Sequence, residues 1–465
     1  MVSAKFSLIG DKAFYKKVFS VTIPIMVQNL ITSFVSLLDN IMVGQMGTEQ
    51  MSGVAIANQL VFVFNLAIFG AISGVGIFTA QFFGSGDEEG VRYTMRAKLY
   101  ICLILLGIFW VLAFLKGEML IGLFLRAGDD QAAVALTLSE GKRYLMVILI
   151  GLLPFAVNQV FASTLRESGE TVLPMKAGII AVFVNLVFNY ILIFGHFGAP
   201  ALGVVGAAVA TVLSRFVEVG IVAGTAMLRK HKYPFLKGLF SSFKVPGNLV
   251  RRMFRRGTPL LLNEFLWSLA MSAIMQSYST RGLAAVAALN INSTVVNLFA
   301  QGYFAMGSAV AIIVGQLLGA GKYEEARQTD YKLIAFGVAV SVVIGAAAAL
   351  LAPLFPRLYN TSQEVRDLAA SLLRIAACFM PLTAFCHTCY FTLRSGGKTI
   401  MTFFFDSFYV MVLVYPISFL LSRYTGLPMQ SLYACVCAVD FIKATVGFIL
   451  VRKGVWINNI ISEID

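Results

Sequence analysis

A glutamate stands in the middle of an apolar stretch of this sequence, at Glu264 in PLLLNEFLWSLAMSAIM (residues 259–275). A charge at the centre of a helix in hydrocarbon costs at least ~2.5 kcal/mol. Because burial disfavours the ionised form, a carboxyl group kept there can hold a proton near neutral pH and exchange it for another cation. Asn263 adjoins Glu264 but points about 100° away around a helix, so it is a weaker ligand candidate.

Further polar side chains interrupt other apolar stretches. Asp39 occurs in SLLDNIMVG, Asp406 occurs in KTIMTFFFDSFYVMVLVYP, and Glu140 also falls inside an apolar run. Trp267 follows Glu264 by one helical turn and could offer a cation its ring face. Single asparagines in such helices are typical of helix–helix hydrogen bonds, but as a group they indicate a polar cavity wall. The candidate lining residues are Asn29, Asn158, Asn185, Asn189, Asn263, Trp267 and His387.

The composition indicates an integral membrane protein. The chain has 465 residues, of which 58% are hydrophobic and 13% charged, and its mean hydropathy is +0.83. A soluble domain would carry about 25% charged residues, and a membrane span needs about 20 apolar residues. Twelve such runs are centred near residues 30, 68, 106, 147, 182, 213, 266, 301, 342, 380, 410 and 440. The fold class predicted is all-α, with twelve transmembrane helices.

The net charge of +13 reflects membrane topology. When the N-terminus is placed inside, most of the Lys and Arg residues fall in inside loops, which predicts that both termini are cytoplasmic. This distribution argues against nucleic-acid binding. The largest inside group comprises Arg229, Lys230, Lys232, Lys237, Lys244, Arg251, Arg252, Arg255 and Arg256.

Neither a signal peptide nor a disulfide framework is indicated. Residues 1–17 have no short apolar core followed by a small-residue cleavage site, so the first span is predicted to be retained. The six cysteines all lie in predicted spans. CHTC (residues 386–389) lacks a second ligand cluster, which favours small-residue packing over a metal site, with His387 available to line a cavity.

The sequence repeats itself in two halves of six spans. QFFGSGDEEGVR (81–92) matches QLLGAGKYEEAR (316–327), and TLRESGET (164–171) matches TLRSGGKT (392–399). Six spans is an even number, so the halves are parallel repeats, which predicts two pseudo-symmetric six-helix lobes around a central cleft. The predicted divisions are a cytoplasmic N-terminus (1–13), an N-lobe (14–229), a basic linker (230–256), a C-lobe (257–453) and a cytoplasmic C-terminus (454–465).

Each half also ends with an acid and a base three residues apart on one helix. Arg215 and Glu218 in the first half align with Asp440 and Lys443 in the second half, with the charges exchanged. The i, i+3 spacing places both members of each pair on one helix face. We therefore expect two structural ion pairs in the bundle interior.

Several motifs in order resemble the multidrug and toxic compound extrusion (MATE) family. They are LLDNIMVGQMGTEQMSGVAIANQ, the repeated Gln-x-x-Gly-x-Gly after spans two and eight, and TLRESGETVLPM after span four. The resemblance extends from about residue 14 to 460. It implies twelve helices in two lobes and efflux of organic cations or drugs in exchange for H⁺ or Na⁺.

The resemblance also implies site residues. Glu264 stands where NorM-like members carry a functional glutamate, and Asn29, not an acid, is its repeat mate. Asp39 matches the family aspartate of span one. The family aspartate of span five is replaced here by Asn189, four residues after Asn185, which weakens a proton relay in the first lobe.

A second departure from the family pattern lies on span ten. Members that use sodium carry an aspartate about eleven residues before the Arg of Thr-Leu-Arg, whereas PLTAFCHTCYFTLR has no acid there. Asp406 on the next span is a candidate substitute. The coupling carboxylates expected are therefore Glu264, Asp39 and Asp406, and the coupling ion stays open between H⁺ and Na⁺.

The sequence thus predicts a rocker-switch antiporter of the plasma membrane, not an enzyme, that acts as a monomer without a cofactor. Its expected partners are the lipid bilayer and small organic cations. Two alternatives stay open: a flippase of lipid-linked saccharides from the wider superfamily, and a major facilitator-type transporter, which GSGDEEGVR superficially resembles. A flippase would favour a cleft rich in Arg and Lys, whereas the spans hold Arg215 and Lys443, each with an acid three residues away.

Overall fold

The computed structural model describes residues 8–44, 46–124, 131–359 and 361–462. Within these ranges the regular structure is helical, and twelve helices are long and apolar enough to cross a membrane. Each of the twelve predicted spans falls on one of them, which confirms the predicted fold class. The helices are α1 Lys12–Gly44, α2 Thr48–Ser85, α3 Glu88–Gly122, α4 Gln131–Glu167, α5 Val172–Phe194, α6 Val204–Leu228, α7 Gly247–Ser279, α8 Leu283–Gly319, α9 Tyr323–Leu351, α10 Gln363–Ser395, α11 Thr399–Tyr424 and α12 Met429–Lys453.

The chain divides into two compact units. One, the N unit, contains residues 27–79 and 87–250, and the other, the C unit, contains the described residues within 1–26, 80–86 and 251–465. In the N unit, α6 packs against α4 and α5, and α3 packs against α4. In the C unit, α10 packs against α8 and α9. One apolar cluster of the C unit contains the fully buried ring of Trp456.

Helix α11 departs from α-helical geometry where it carries its acid. It is α-helical over Thr399–Phe403 and Tyr415–Tyr424, with π-helical stretches at Phe404–Phe408 and Val410–Val414 between them. A π-helical turn shifts the backbone hydrogen bonds by one residue and is frequent at functional sites. Here it lies at Asp406 and frees a backbone N–H for a side-chain partner on α7.

The repeated Gln-x-x-Gly-x-Gly motif is explained by a close helix crossing inside the C unit. A Cβ on Gly84 would collide with the backbone of Gln316, and a Cβ on Gly319 would collide with the backbone of Gln81. The two contacts are reciprocal, so the first glycine of each motif permits the approach. The second glycine of the first motif is Gly86, with φ +81°, and that of the second motif is Gly321, with φ +71°. Both have the left-handed backbone conformation that favours glycine.

The segment between α6 and α7 is folded onto α3 within the N unit. Arg96 is buried and donates from Nε to Leu239 O at 2.9 Å and from Nη2 to Gly238 O at 2.7 Å. Tyr100 Oη donates to Phe243 O at 2.6 Å. These hydrogen bonds pair backbone carbonyls of the segment that would otherwise need water as their donor. Residues 247–256, which the sequence places in the linker, form the first turns of α7.

A second group of side-chain contacts joins the segment between α6 and α7 to the turn between α4 and α5. Lys232 Nζ pairs with Glu170 Oε2, and Tyr233 Oη donates to the same oxygen at 3.1 Å. Burial alone would raise the pKa of the Glu170 carboxyl, but the hydrogen bonds from Lys232 and Tyr233 hold it below its ordinary value. The hydrogen bond to Glu170 raises the pKa of Lys232. Both charges are therefore fixed at neutral pH.

Candidate functional site

The N unit contains a partly open cavity of about 360 Å³. It lies among α1, α2, α4, α5 and α6, and apolar side chains form part of its wall. Its polar lining residues are Asp39, Asn58, Asn65, Tyr144, Asn189, Thr211 and Arg215. A cavity of this size with a few convergent polar groups is typical of a small-molecule or ion site.

Asp39 is held in this cavity by two asparagines from α5. Asn189 Nδ2 donates to Asp39 Oδ1 at 2.6 Å. When the amide of Asn185 is oriented to accept from Thr211 Oγ1 at 3.3 Å, its nitrogen reaches the two carboxylate oxygens of Asp39 at 3.0 and 3.1 Å. The structure thus brings Asp39, Asn185 and Asn189 together. Amide donors stabilise a carboxylate, but they cannot accept a proton from it.

A guanidinium group shares the same cavity. Arg215 lines it, with Cζ 4.6 Å from the Phe155 ring centroid and Nη1 3.7 Å from Glu218 Oε2. The Arg215–Glu218 pair is the ion pair predicted from the i, i+3 spacing. Asp39 and Arg215 therefore place one charge of each sign at the cavity, and the sequence reasoning missed Arg215 as a lining residue because it assigned this side chain to the pair alone.

Two of the predicted polar residues lie elsewhere. Asn158 on α4 is buried, and its Oδ1 accepts no hydrogen bond from the described residues. It does not line the cavity. Asn29 is half-buried on α1, also outside that lining. The predicted cluster of three asparagines around Asp39 therefore has two members in contact with it.

In the C unit, Asn263 connects three groups. Its side chain is buried, its Nδ2 donates to Asp406 Oδ2 at 3.0 Å, and its Oδ1 accepts from the backbone N–H of Ser407 at 3.2 Å. Nδ2 also lies 3.4 Å from Tyr390 Oη. The Ser407 N–H is available because the π-helical turn changes the backbone pairing there. Asn263 therefore joins α7 to α11, and its amide also interacts with Glu264. Neither contact was predicted from the sequence, which placed Asn263 on another side of the helix from Glu264.

Asp406 forms an ion pair with Lys443 across α11 and α12. Nζ of Lys443 lies 2.7 Å from Oδ1 of Asp406, and both side chains are largely buried. The expected pairing of Lys443 with Asp440 is confirmed only as an electrostatic interaction, because the contact within ion-pair distance is with Asp406 in the π-helical stretch of α11. The carboxylate of Asp406 is thus occupied by a cation of the protein itself and by the amide of Asn263.

Glu264 is less constrained than Asp406. It is half-buried on α7, and its Oε1 accepts from Tyr390 Oη at 3.4 Å. No Lys or Arg of the described residues forms an ion pair with it, although Arg394 on α10 acts on it electrostatically. Tyr390 and Arg394 are site residues that the sequence reasoning missed. Their signal was the Thr-Leu-Arg motif, whose arginine is Arg394.

The two remaining candidates differ in their surroundings. Ring centroids of Phe304 and Phe391 lie 4.8 and 4.9 Å from that of His387, and Tyr390 stacks at 6.4 Å. His387 therefore lies in an aromatic cluster next to the tyrosine that contacts Glu264. Trp267 is 43% exposed on α7. Among the described residues no group of three or more His, Cys, Asp and Glu side chains could hold a metal ion.

Comparison with known proteins identifies the family. The MatE family model matches residues 24–191 and 259–420, which together make up more than two thirds of the chain. The chain belongs to the MatE family. This confirms the predicted resemblance and excludes the major facilitator alternative. The chain is a MATE transporter, not an enzyme, and twelve helices in the described ranges are long and apolar enough to span the membrane.

Its relatives are similar over nearly their whole length. The chain is 26% identical over 451 residues to a probable multidrug resistance protein NorM of Thermotoga maritima, covering 95% of this chain and 93% of that one. It is 25% identical to the probable multidrug resistance protein YoeA of Bacillus subtilis, covering 88% of each.

Solved structures share the fold. One is a MATE multidrug resistance transporter in an outward-facing conformation, at TM-score 0.83 and 22% identity, covering 96% of both chains. Another is a transporter of the wider MOP superfamily from Pyrococcus furiosus, for which a reversed polarity of the binding pocket suggests a different function, at TM-score 0.84 and 22% identity, covering 96% of both chains.

Proposed function

We propose that this transporter exports organic cations and drugs in exchange for protons, with Glu264 as the main coupling carboxyl. The observation that carries the proposal is the difference between the two acids near Tyr390. Asp406 is neutralised by Lys443 at 2.7 Å, whereas Glu264 accepts a long hydrogen bond from Tyr390 Oη at 3.4 Å, interacts with the amide of Asn263, and has no ion-pair partner among the described residues. Glu264 is therefore the acid available to an incoming cation.

The same contacts favour a proton over sodium at this position. A hard metal cation takes several oxygen ligands at short distance. Asp406, Asn263 and Tyr390 could supply oxygens, but Asp406 is already bound to Lys443, and the oxygen of Asn263 accepts from the backbone of α11. A proton needs only the carboxyl oxygen itself. Competition between a proton and a cationic substrate for Glu264 then couples the two fluxes.

The pH gradient is the driving force for this exchange, because one proton traded for one monovalent cation moves no net charge across the membrane. Each pH unit supplies about 1.4 kcal/mol, a tenfold concentration ratio. In the first lobe we assign Asp39 a supporting role as a negative charge in the cavity. Its amide partners and the nearby Arg215 limit its ability to release a proton to a neighbour.

The proposal also covers the substrate class, the membrane in which the protein lies and its oligomeric state. The relatives named as multidrug resistance proteins support drug-like substrates, and the many basic residues of predicted inside loops support a plasma-membrane protein with cytoplasmic termini. We propose that it works as a monomer, by alternating access of the two lobes predicted from the repeat. Glu264, a half-buried acid of α7 without an ion-pair partner among the described residues, favours cationic cargo over the phosphates of lipid-linked saccharides.

The test uses proteoliposomes loaded with a cationic dye, with a pH gradient and a sodium gradient imposed separately. Wild-type protein should move the dye under the pH gradient, and Glu264→Gln should lose this activity by at least tenfold. Glu364→Gln, an exposed acid of α10, is the matched control and should retain it. Unchanged pH-driven transport in folded Glu264→Gln would refute the assignment, and dependence on sodium alone would refute the choice of ion.

A further inference from the structure

A second acid of the C unit is buried without a countercharge. Asp330 on α9 is 0% exposed, and its Oδ1 accepts from Thr392 Oγ1 at 2.6 Å. Its other oxygen, Oδ2, is buried and has no hydrogen-bond partner in the described part of the chain. No Lys or Arg there forms an ion pair with it. An ionised carboxylate in such surroundings carries a large desolvation penalty that one hydroxyl does not offset.

The number of hydrogen bonds available at Thr392 also favours a protonated Asp330. Its hydroxyl lies within donating distance of two acceptors, Asp330 Oδ1 at 2.6 Å and Thr388 O at 3.0 Å, but has one hydrogen. If Asp330 Oδ1 carries a proton, it donates to Thr392 Oγ1, and the hydroxyl then donates to Thr388 O. The protonated carboxyl thus uses both contacts, whereas the ionised form uses only one.

At the position of the N unit that the repeat relates to Thr392, a buried charge has a partner of opposite sign. Thr164, the mate of Thr392, lies 3.3 Å from the ammonium of Lys98, which is also fully buried. Lys98 forms an ion pair with Glu167. The residue that matches Glu167 in the second half is Ser395. The equivalent threonine therefore binds a paired charge in one half and an unpaired acid in the other.

Among the described residues, the interactions of Asp330 involve no charged side chain. The buried thiol of Cys389 on α10 is the ionisable group that lies in electrostatic range of it. On α9 itself, Arg327 lies against the ring of Tyr331, and Lys332 lies 5.9 Å from the ring centroid of Phe14. Glu264 is not among the groups that act on Asp330. Asp330 is therefore electrostatically separate from the proposed coupling site.

We propose that Asp330 and Thr392 form a second proton-binding site, which is loaded in this conformation and gives up its proton when the surrounding helices separate. Asp330 lies seven residues after the first residue of α9, about 10 Å along the helix. A modest opening at that end would admit water to it. The use of this proton in transport rests on the proposed antiport, but its binding does not.

Infrared difference spectroscopy of the purified full-length protein tests occupancy directly. At neutral pH the protonated carboxyl of Asp330 should contribute a carbonyl stretching band that is absent from Asp330→Asn. The control Asp367→Asn removes an exposed acid of α10 and should leave the protonated-carboxyl region unchanged. Because Asn resembles the neutral acid in shape, the variant should fold. Thr392→Val provides an independent check, since loss of the hydroxyl should shift the frequency of the band.

The outcomes separate this inference from the proposed function. If Asp330→Asn leaves the band intact and Thr392→Val does not shift it, Asp330 is ionised and the site does not exist. Loss of the band in Asp330→Asn, with a distinct loss in Glu264→Gln, supports two proton sites. The number of protons exchanged per dye molecule in proteoliposomes should then fall by one in Asp330→Asn. An unchanged number would overturn its role in transport.

Discussion

The ion pair between Asp406 and Lys443 allows a quantitative test of how α11 and α12 are joined. The two side chains are only 17% and 11% exposed, and their charged atoms lie 2.7 Å apart. Lys443→Met would leave Asp406 with the amide of Asn263 as its remaining side-chain donor. Removing one partner of a buried pair costs about 3–5 kcal/mol, because the other charge stays desolvated and unpaired.

Because Asn263 still donates to the carboxylate, we expect the lower end of that range, roughly 3 kcal/mol, for Lys443→Met. Asp406→Asn keeps the shape of the side chain and leaves the ammonium with Asp440 as its remaining acidic neighbour, so we expect a smaller loss than for Lys443→Met. The double variant removes both charges and should be more stable than the sum of the single losses by at least about 2 kcal/mol.

The measurement is equilibrium unfolding in mixed detergent micelles for the wild-type protein, both single variants and the double variant. A coupling free energy below about 0.5 kcal/mol would refute the reasoning, since it would mean that the two charges are independent. Dye efflux gives a second reading: the folded double variant should retain pH-driven transport. If it instead loses transport as completely as Glu264→Gln, Asp406 belongs to the coupling machinery.

Three further predictions follow from single contacts. Gly84→Ala would place a Cβ 2.6 Å from backbone carbon atoms of α8 and should destabilise the protein by about 1–3 kcal/mol in thermal unfolding, whereas Gly107→Ala, which meets no atom within 4 Å, should not. Glu170→Gln should lower the free energy of unfolding by about 0.5–1 kcal/mol at neutral pH. The pKa of Glu170 is lowered and that of Lys232 is raised, so the stability difference between wild type and variant should disappear as pH falls through the folded pKa of Glu170 or rises through that of Lys232. A stability difference that does not change with pH would contradict this prediction. Asn189→Leu removes a 2.6 Å hydrogen bond to the cavity carboxylate and should weaken binding of a cationic dye severalfold, measured by fluorescence titration, and unaltered affinity would contradict the cavity's role.

The twelve helices were predictable because hydrocarbon imposes the same demand on every span: about twenty apolar residues without unpaired backbone groups. Glu264 on α7 was equally predictable as a candidate site residue, since it is the single acid in the apolar sequence PLLLNEFLW. What the sequence does not reveal is which partner each polar group finds. The i, i+3 spacing favoured Lys443 with Asp440, but the ammonium lies within ion-pair distance of Asp406, in the π-helical stretch of α11.

The same limit applies to the residues around the candidate sites. Asn263 looked like a weak ligand from its helix position, yet it joins α7 to the backbone of α11. Arg215 looked like half of an ion pair and also lines the N-unit cavity. Each role depends on contacts between helices far apart in sequence. Periodicity describes one helix at a time, so only the packed structure supplies such contacts.

The central claim is that one carboxyl, Glu264, exchanges its proton for a cationic substrate. The most direct measurement is proton release from the detergent-purified protein in weakly buffered solution when a cationic dye is added, followed with a pH indicator. The wild-type protein should release close to one proton for each dye bound, and Glu264→Gln should bind dye without release. Equal release from both proteins would contradict the claim.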